Sequence, residues 1–182
     1  MPAKHRLLVL LAVLGILSAA SVAHAASVVA LGASNTYGMG VARSEAYPAQ
    51  LQALLRARGL NVQVINAGIN GDTTAGMLAR LDQAVPRGTS VVVFQPGGND
   101  LRQHSPDQSS AIESRLSAMG IKVVLLPNSM LRGLPHQPDG IHLTPEGYHL
   151  LAEGIVGRSP RRWGGSGIGG VCVNSGSMRG PI

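Results

Sequence analysis

Four short segments of the 182-residue chain combine small residues with side chains able to do nucleophilic or acid–base chemistry. They are Gly32-Ala33-Ser34-Asn35, Asn66-Ala67-Gly68-Ile69-Asn70-Gly71-Asp72-Thr73, Pro96-Gly97-Gly98-Asn99-Asp100 and Asp139-Gly140-Ile141-His142. A serine hydroxyl is a poor nucleophile until a base takes its proton, and imidazole has the unperturbed pKa suited to that task near neutrality. A carboxylate three residues before a histidine can reach its far ring nitrogen within one turn and fix the tautomer. Singly, each segment also has a plain reading, because Gly and Asx residues are ordinary turn formers. Ser34 could end a strand in a turn, Asn99 could satisfy its own backbone, and Asp139 could cap a following helix.

The elements that must position these residues are legible in the hydrophobic pattern. Four aliphatic, β-branched runs, Ser27–Leu31, Val62–Asn66, Ser90–Gln95 and Lys122–Pro127, start 35, 28 and 32 residues apart. That spacing accommodates a strand, a crossover helix and a return to a parallel strand. Runs with no polar alternation belong to strands covered on both faces. Helices are expected over Tyr47–Arg58, with Pro48 in its first turn and Gly59 as its stop, and over Thr73–Ala84, capped by Asp72. A third is expected from Ser105-Pro106-Asp107-Gln108 to Gly120. A fourth opens at Thr144-Pro145-Glu146 and runs to about Gly154, with Leu150 and Leu151 inward. The alternating order predicts an α/β, three-layer α/β/α sandwich on a parallel sheet, with the carboxyl ends of its strands along one rim where ligands sit.

The ends differ from this body. Lys4 and Arg6, the apolar run Leu7 to Leu17 and then Ala23-His24-Ala25 read as a secretory signal over residues 1–25, since the apolar run is short of the roughly 20 residues that span a bilayer. The domain is expected over 26–157, and 158–182 as a Gly- and Arg-rich disordered tail. A non-native tail, such as a shifted reading frame would add, is the expectation there. The net charge of +6 comes from these ends, because nine basic and nine acidic residues lie between Ala26 and Gly157. With aromatics at 3%, neither a basic face nor stacking platforms for nucleic acid are expected. A single cysteine, Cys172, makes no internal disulfide. His104, His136 and His149 show no metal-ligand spacing, so no metal or other cofactor is expected. Asp72 and Asp100 are expected to hold their loops through backbone hydrogen bonds.

Taken in order, the four segments resemble the four blocks of the SGNH branch of the GDSL-type lipase and esterase superfamily. Gly32-Ala33-Ser34-Asn35 matches the nucleophile block, Gly71 the second, Gly97-Gly98-Asn99-Asp100 the third and Asp139-Gly140-Ile141-His142 the last. Asn66–Thr73 and Asp139–His142 are together most similar to small exported bacterial esterases of the acyl-thioesterase, lysophospholipase and arylesterase type. The resemblance implies a flavodoxin-like SGNH fold, with Ser34 as nucleophile, His142 as general base and then acid, and Asp139 orienting the imidazole. It further implies an oxyanion hole of the Ser34 N–H, the Gly71 N–H and the Asn99 side-chain amide. Donors placed where charge develops stabilise the tetrahedral intermediate more than the ester.

Two departures from the family pattern stand out. Ala33 replaces the usual block-one aspartate, and only 39 residues separate Asn99 from Asp139, where relatives usually insert another strand, a helix and a substrate loop. Four strands rather than five are therefore expected, with a small pocket lined mostly by aliphatic residues and by Tyr37 or Met39. The expected function is an exported serine esterase or lipase, periplasmic or secreted, acting through an acyl-enzyme on small-molecule carboxylic or thioesters of short acyl or aryl type. No stable membrane insertion is expected after signal cleavage, and the oligomeric state is open. The alternatives are a carbohydrate O-deacetylase using the same catalytic group and a degenerate binding protein lacking turnover.

Overall fold

Along the first strand, β1 (Ala26–Gly32), successive side chains enter opposite cores: Val28 and Ala30 pack on one side, Val29 and Leu31 on the other. The central strand β3 (Thr89–Gln95) repeats the division, with Val91 and Val93 on the first side and Val92 and Phe94 on the second. A strand whose two faces are both buried must be apolar at every position, which is why these runs lack polar alternation. This computed structural model describes residues 26–158 and Trp163. The signal and most of the tail expected from the sequence lie outside the described residues.

With β2 (Val62–Gly68) and β4 (Lys122–Leu125), these strands form a four-stranded sheet in the order β2-β1-β3-β4, parallel throughout. Gly32 pairs with Gly68 on one side and with Gln95 on the other, so the three strands end level with one another. The loops that follow them therefore share one rim.

One face of the sheet is covered by α2 (Tyr47–Ala57) and α7 (Pro145–Arg158), which bury Tyr47, Leu51, Leu55, Tyr148, Leu151 and Ile155. The other is covered by α3 (Thr74–Ala79), α4 (Leu81–Ala84) and α6 (Ser109–Ala118), through Met77, Leu81, Ile112 and Leu116. Short helices α1 (Ser34–Tyr37) and α5 (Asn99–Arg102) begin at the rim immediately after β1 and β3. Trp163, placed by its sequence position in the expected tail, is buried against the α2–α7 core.

Several local expectations are corrected. The helix expected over Thr73–Ala84 is two helices meeting at Arg80, and its N-cap is Thr73, whose hydroxyl accepts from the Gly76 N–H. Asp72 is not the cap, because its carboxylate pairs with Arg80 at 2.8 Å. The third helix starts at Ser109 without a side-chain cap of its own. Its preceding loop is tied instead by Gln108 N–H to the Thr74 hydroxyl and Ser109 N–H to Asp107 Oδ1. The fourth helix continues through Gly154 and Gly157 to Arg158, with Ile155 and Val156 buried beneath it, so packing outweighs the poor helix propensity of glycine. On that helix Leu151 is buried but Leu150 is 39% exposed. One step along a helix turns a side chain through about 100°, away from the stripe shared by Tyr148, Leu151 and Ile155.

Candidate active site

Ser34 is presented by a one-turn helix that starts two residues after the end of β1. The turn is closed by the Ala33 carbonyl, which accepts from the N–H groups of Thr36 and Tyr37 at 3.1 and 2.9 Å. Gly32 cannot carry a side chain here, because a Cβ would lie 2.1 Å from the Thr36 hydroxyl and 3.0 Å from the Gln95 carbonyl. Ala33 is buried, and backbone hydrogen bonds close the loop where the family aspartate would stand.

Ser34 lines a cavity of about 210 Å³ with Gln95, Gly97, Asn99, Arg102, Asn128 and Ile141 among its other wall residues. Neither Tyr37 nor Met39 is on that wall, and the mostly aliphatic lining expected is reduced to Ala33, Leu131 and Ile141 beside amides and a guanidinium. The amides are held in place: Gln95 Oε1 accepts from the Thr36 hydroxyl at 3.0 Å, and Asn128 Nδ2 donates to the Gly97 carbonyl at 2.8 Å.

Asn99 opens α5 and is buried. Its Nδ2 donates to the Asp72 carbonyl at 2.7 Å, and Arg102, three residues on, donates from Nη2 to its Oδ1. Both ends of the amide are therefore assigned, and the second N–H on Nδ2 remains for the cavity. Asp100 accepts from the Thr74 N–H through Oδ1, which holds its loop through a backbone hydrogen bond. Gly71 has φ +75°, a conformation that suits glycine, and its carbonyl accepts from Gln103 Nε2. Gly71 itself is not on the cavity wall.

Asp139 and His142 form a compact unit at the rim. Asp139 Oδ1 accepts from the backbone N–H groups of Ile141 and His142, both at 2.9 Å, and its Oδ2 lies 2.5 Å from His142 Nδ1. The N–H of His142, then its ring, then the N–H of Ile141 hold the Asp139 carboxyl well below the usual carboxylate range. An ionised carboxylate only accepts, so Nδ1 carries a proton, and in the neutral imidazole the lone pair is then on Nε2. Gly140 and Ile141 of the same loop line the cavity beside Ser34. No hydrogen bond joins Ser34 to His142 among the described residues.

Other polar residues at this rim carry structure that sequence reasoning missed. Arg80 reaches from the α3–α4 junction to Asp72 and to the carbonyls of Ala67 and Gly32, at 2.9 and 3.4 Å, tying together the ends of β1 and β2. Asn35, Gln95, Arg102 and Tyr148 likewise received no role, although the three-residue spacing of Asn99 and Arg102 on one helical turn was a usable signal. Two further histidines have side-chain partners: His136 Nδ1 meets the Leu134 carbonyl, and His149 meets Gln50 and Glu153. Among the described residues no group of three His, Cys, Asp or Glu side chains could hold a metal ion, and no helix is long and apolar enough to cross a membrane.

A parallel α/β domain with a serine after its first strand and an Asp-x-x-His unit before its last helix defines a class of hydrolase-like folds. The chain belongs to the GDSL-like lipase/acylhydrolase family, whose model matches residues 30–127. It is 36% identical over 110 residues to the esterase TesA of Pseudomonas aeruginosa, covering 57% of this chain and 55% of that protein. It is 39% identical over 105 residues to the arylesterase of Vibrio mimicus, covering 57% and 50% respectively. The chain thus spans about half the length of these curated relatives. Among solved structures, a crystal structure of TesA superposes with a TM-score of 0.66 at 25% identity, covering 75% of this chain and 99% of that one.

Proposed function

We propose that the protein is an exported serine esterase that hydrolyses small carboxylic esters through an acyl-enzyme. Ser34 Oγ attacks the ester carbonyl while His142 Nε2 takes its proton. The resulting oxyanion is met by the Ser34 N–H and the free N–H of Asn99, both on the cavity wall, and the family pattern adds the N–H of Gly71, which stands off that wall. Collapse breaks the bond to the alcohol, which leaves with the proton from His142. Water then attacks the acyl-Ser34, again giving its proton to His142, and the acid departs as Ser34 is regenerated. Asp139 holds the tautomer and supports the imidazolium.

The observation that carries this reading is the Asp139–His142 unit, whose loop forms part of the wall of the cavity lined by Ser34 and Asn99. Its small volume and polar wall favour short acyl groups, thioesters included, over long chains. Export is supported by Lys4, Arg6, the apolar run and Ala23-His24-Ala25.

Fluorophosphonate labelling of the purified protein, with Ser34→Ala as control, tests the reading. Wild type is expected to take one label and Ser34→Ala none; a folded wild type that takes no label overturns it. A series of p-nitrophenyl esters from acetate to palmitate is expected to favour the short end, and preference for palmitate would refute the small-pocket assignment.

A further inference from the structure

Asn35, the residue after Ser34, is buried and reaches across the chain to the loop that carries His142. Its Nδ2 donates to the Ile141 carbonyl at 3.1 Å, and its Oδ1 accepts from the Leu143 N–H at 3.4 Å. Those two groups belong to the peptide units on either side of His142. A carbonyl only accepts and a backbone N–H only donates, so these two partners fix which end of the amide faces which, and the Tyr148 hydroxyl, from α7, adds a third bond to Oδ1 at 3.1 Å. One buried side chain therefore pins both peptides flanking the histidine to the turn that presents the serine.

We propose that Asn35 is a positioning residue that sets the separation and orientation of Ser34 and His142. The proposal rests on the esterase reading above. Proton transfer from a serine requires the base within hydrogen-bond reach as the substrate is attacked. No direct bond joins Ser34 and His142 in this structure, so the two side chains do not hold one another. Their relation is then determined by the backbones that carry them, and the Asn35 amide bridges those backbones. Asp139 fixes the imidazole relative to its own loop, whereas Asn35 fixes that loop relative to the nucleophile.

The test compares wild type, Asn35→Ala and Asn35→Asp by short-ester kinetics, thermal melting and fluorophosphonate labelling. Asn35→Asp keeps acceptors for Leu143 and Tyr148 but loses the donor to Ile141. Both variants are expected to lower kcat by about 10- to 100-fold with KM within about twofold, because small displacements of reacting groups cost factors of this size. The labelling rate should fall in parallel while the final stoichiometry stays at one per chain. A purely structural role would lower Tm and leave kcat per labelled site unchanged. A variant that is folded at the assay temperature and turns over within about twofold of wild type would overturn the proposal. Should both variants fail to fold, amide exchange of wild type decides: the Leu143 N–H is expected to be protected, and exchange at the rate of an open amide refutes the clasp. Failure of the esterase reading is separately visible, since wild type itself would then take no label, and the proposal falls with it.

Discussion

Asn99 and Arg102 lie one helical turn apart, and the guanidinium of Arg102 donates to the very oxygen of Asn99 that would otherwise compete with its N–H groups for the cavity. With Nδ2 also bonded to the Asp72 carbonyl, the amide is held at both ends. Preorganised donors of this kind need no reorganisation when charge develops.

Removing the donor should therefore act on the chemical step. Asn99→Ala is expected to lower kcat by about 100- to 1000-fold with little change in KM. Arg102→Met, which leaves Asn99 in place but free to rotate, loses one charged hydrogen bond and should cost about tenfold. Steady-state kinetics on a short ester checks both, and equal effects of the two variants would mean that Arg102 does more than orient the amide.

Asp139 yields a prediction about pH. Its carboxyl lies well below the ordinary carboxylate value. The stabilisation it contributes is thus present above the ordinary value and is lost only as pH falls through the depressed one. Across an assay range of about pH 5 to 9 it stays ionised, so any loss of activity on acidification belongs to another group. Asp139→Asn should lower kcat by about four orders of magnitude throughout that range, because an amide facing Nδ1 favours the wrong tautomer. A pH–rate profile of the variant measures this directly.

Gly68 marks a close approach of backbone to backbone between the sheet and the turn that presents Ser34. A Cβ there would lie 2.2 Å from the Tyr37 nitrogen and 2.6 Å from the Thr36 carbonyl carbon, both backbone atoms of α1. Gly68→Ala must push α1 outward, with an expected destabilisation of about 1–3 kcal/mol and a fall in kcat as Ser34 moves. Chemical denaturation together with kinetics tests the pair; a variant with unchanged stability and turnover would contradict the packing.

Tyr47 and Tyr148 make the alkaline limit of stability predictable. Burial pushes both phenols up, Tyr148 to about 12 and Tyr47 further. Groups raised on folding stabilise the native state below their unfolded value and cease to do so as pH rises through the folded one. Denaturation midpoints should fall from about pH 10 upward, and Tyr148→Phe should flatten that slope. In a Tyr37→Phe background, which leaves only these two phenols, tyrosinate absorbance should appear together with unfolding rather than before it.

Much of this molecule is readable along the chain, and the failures are instructive. The central strands β1 and β3 emerge because both of their faces are buried and must be apolar, the edge strands β2 and β4 because enough of their aliphatic residues survive beside exposed ones, and three of the site segments follow strand ends because turns there need small residues. The cap at Thr73 is not legible locally, because Arg80, eight residues beyond Asp72, claims the carboxylate that would otherwise cap. The start of α6 is set across the fold, where Gln108 N–H bonds to the Thr74 hydroxyl. The polar part of the cavity wall is hidden in the sequence, because Gln95 and Asn128 follow from different strands and meet only at the rim.

Amino-acid order alone determined which chemical groups are available and that each stands at the end of an aliphatic strand or before a helix, since burial periodicity and turn chemistry act over a few residues. Tertiary structure alone decided whom each polar group meets. Asn35 and Ile141 are 106 residues apart in sequence yet 3.1 Å apart as donor and acceptor. Hydrogen bonds and ion pairs depend on separations of a few ångströms and on direction, and no local pattern encodes either until the sheet has brought its loops to one edge.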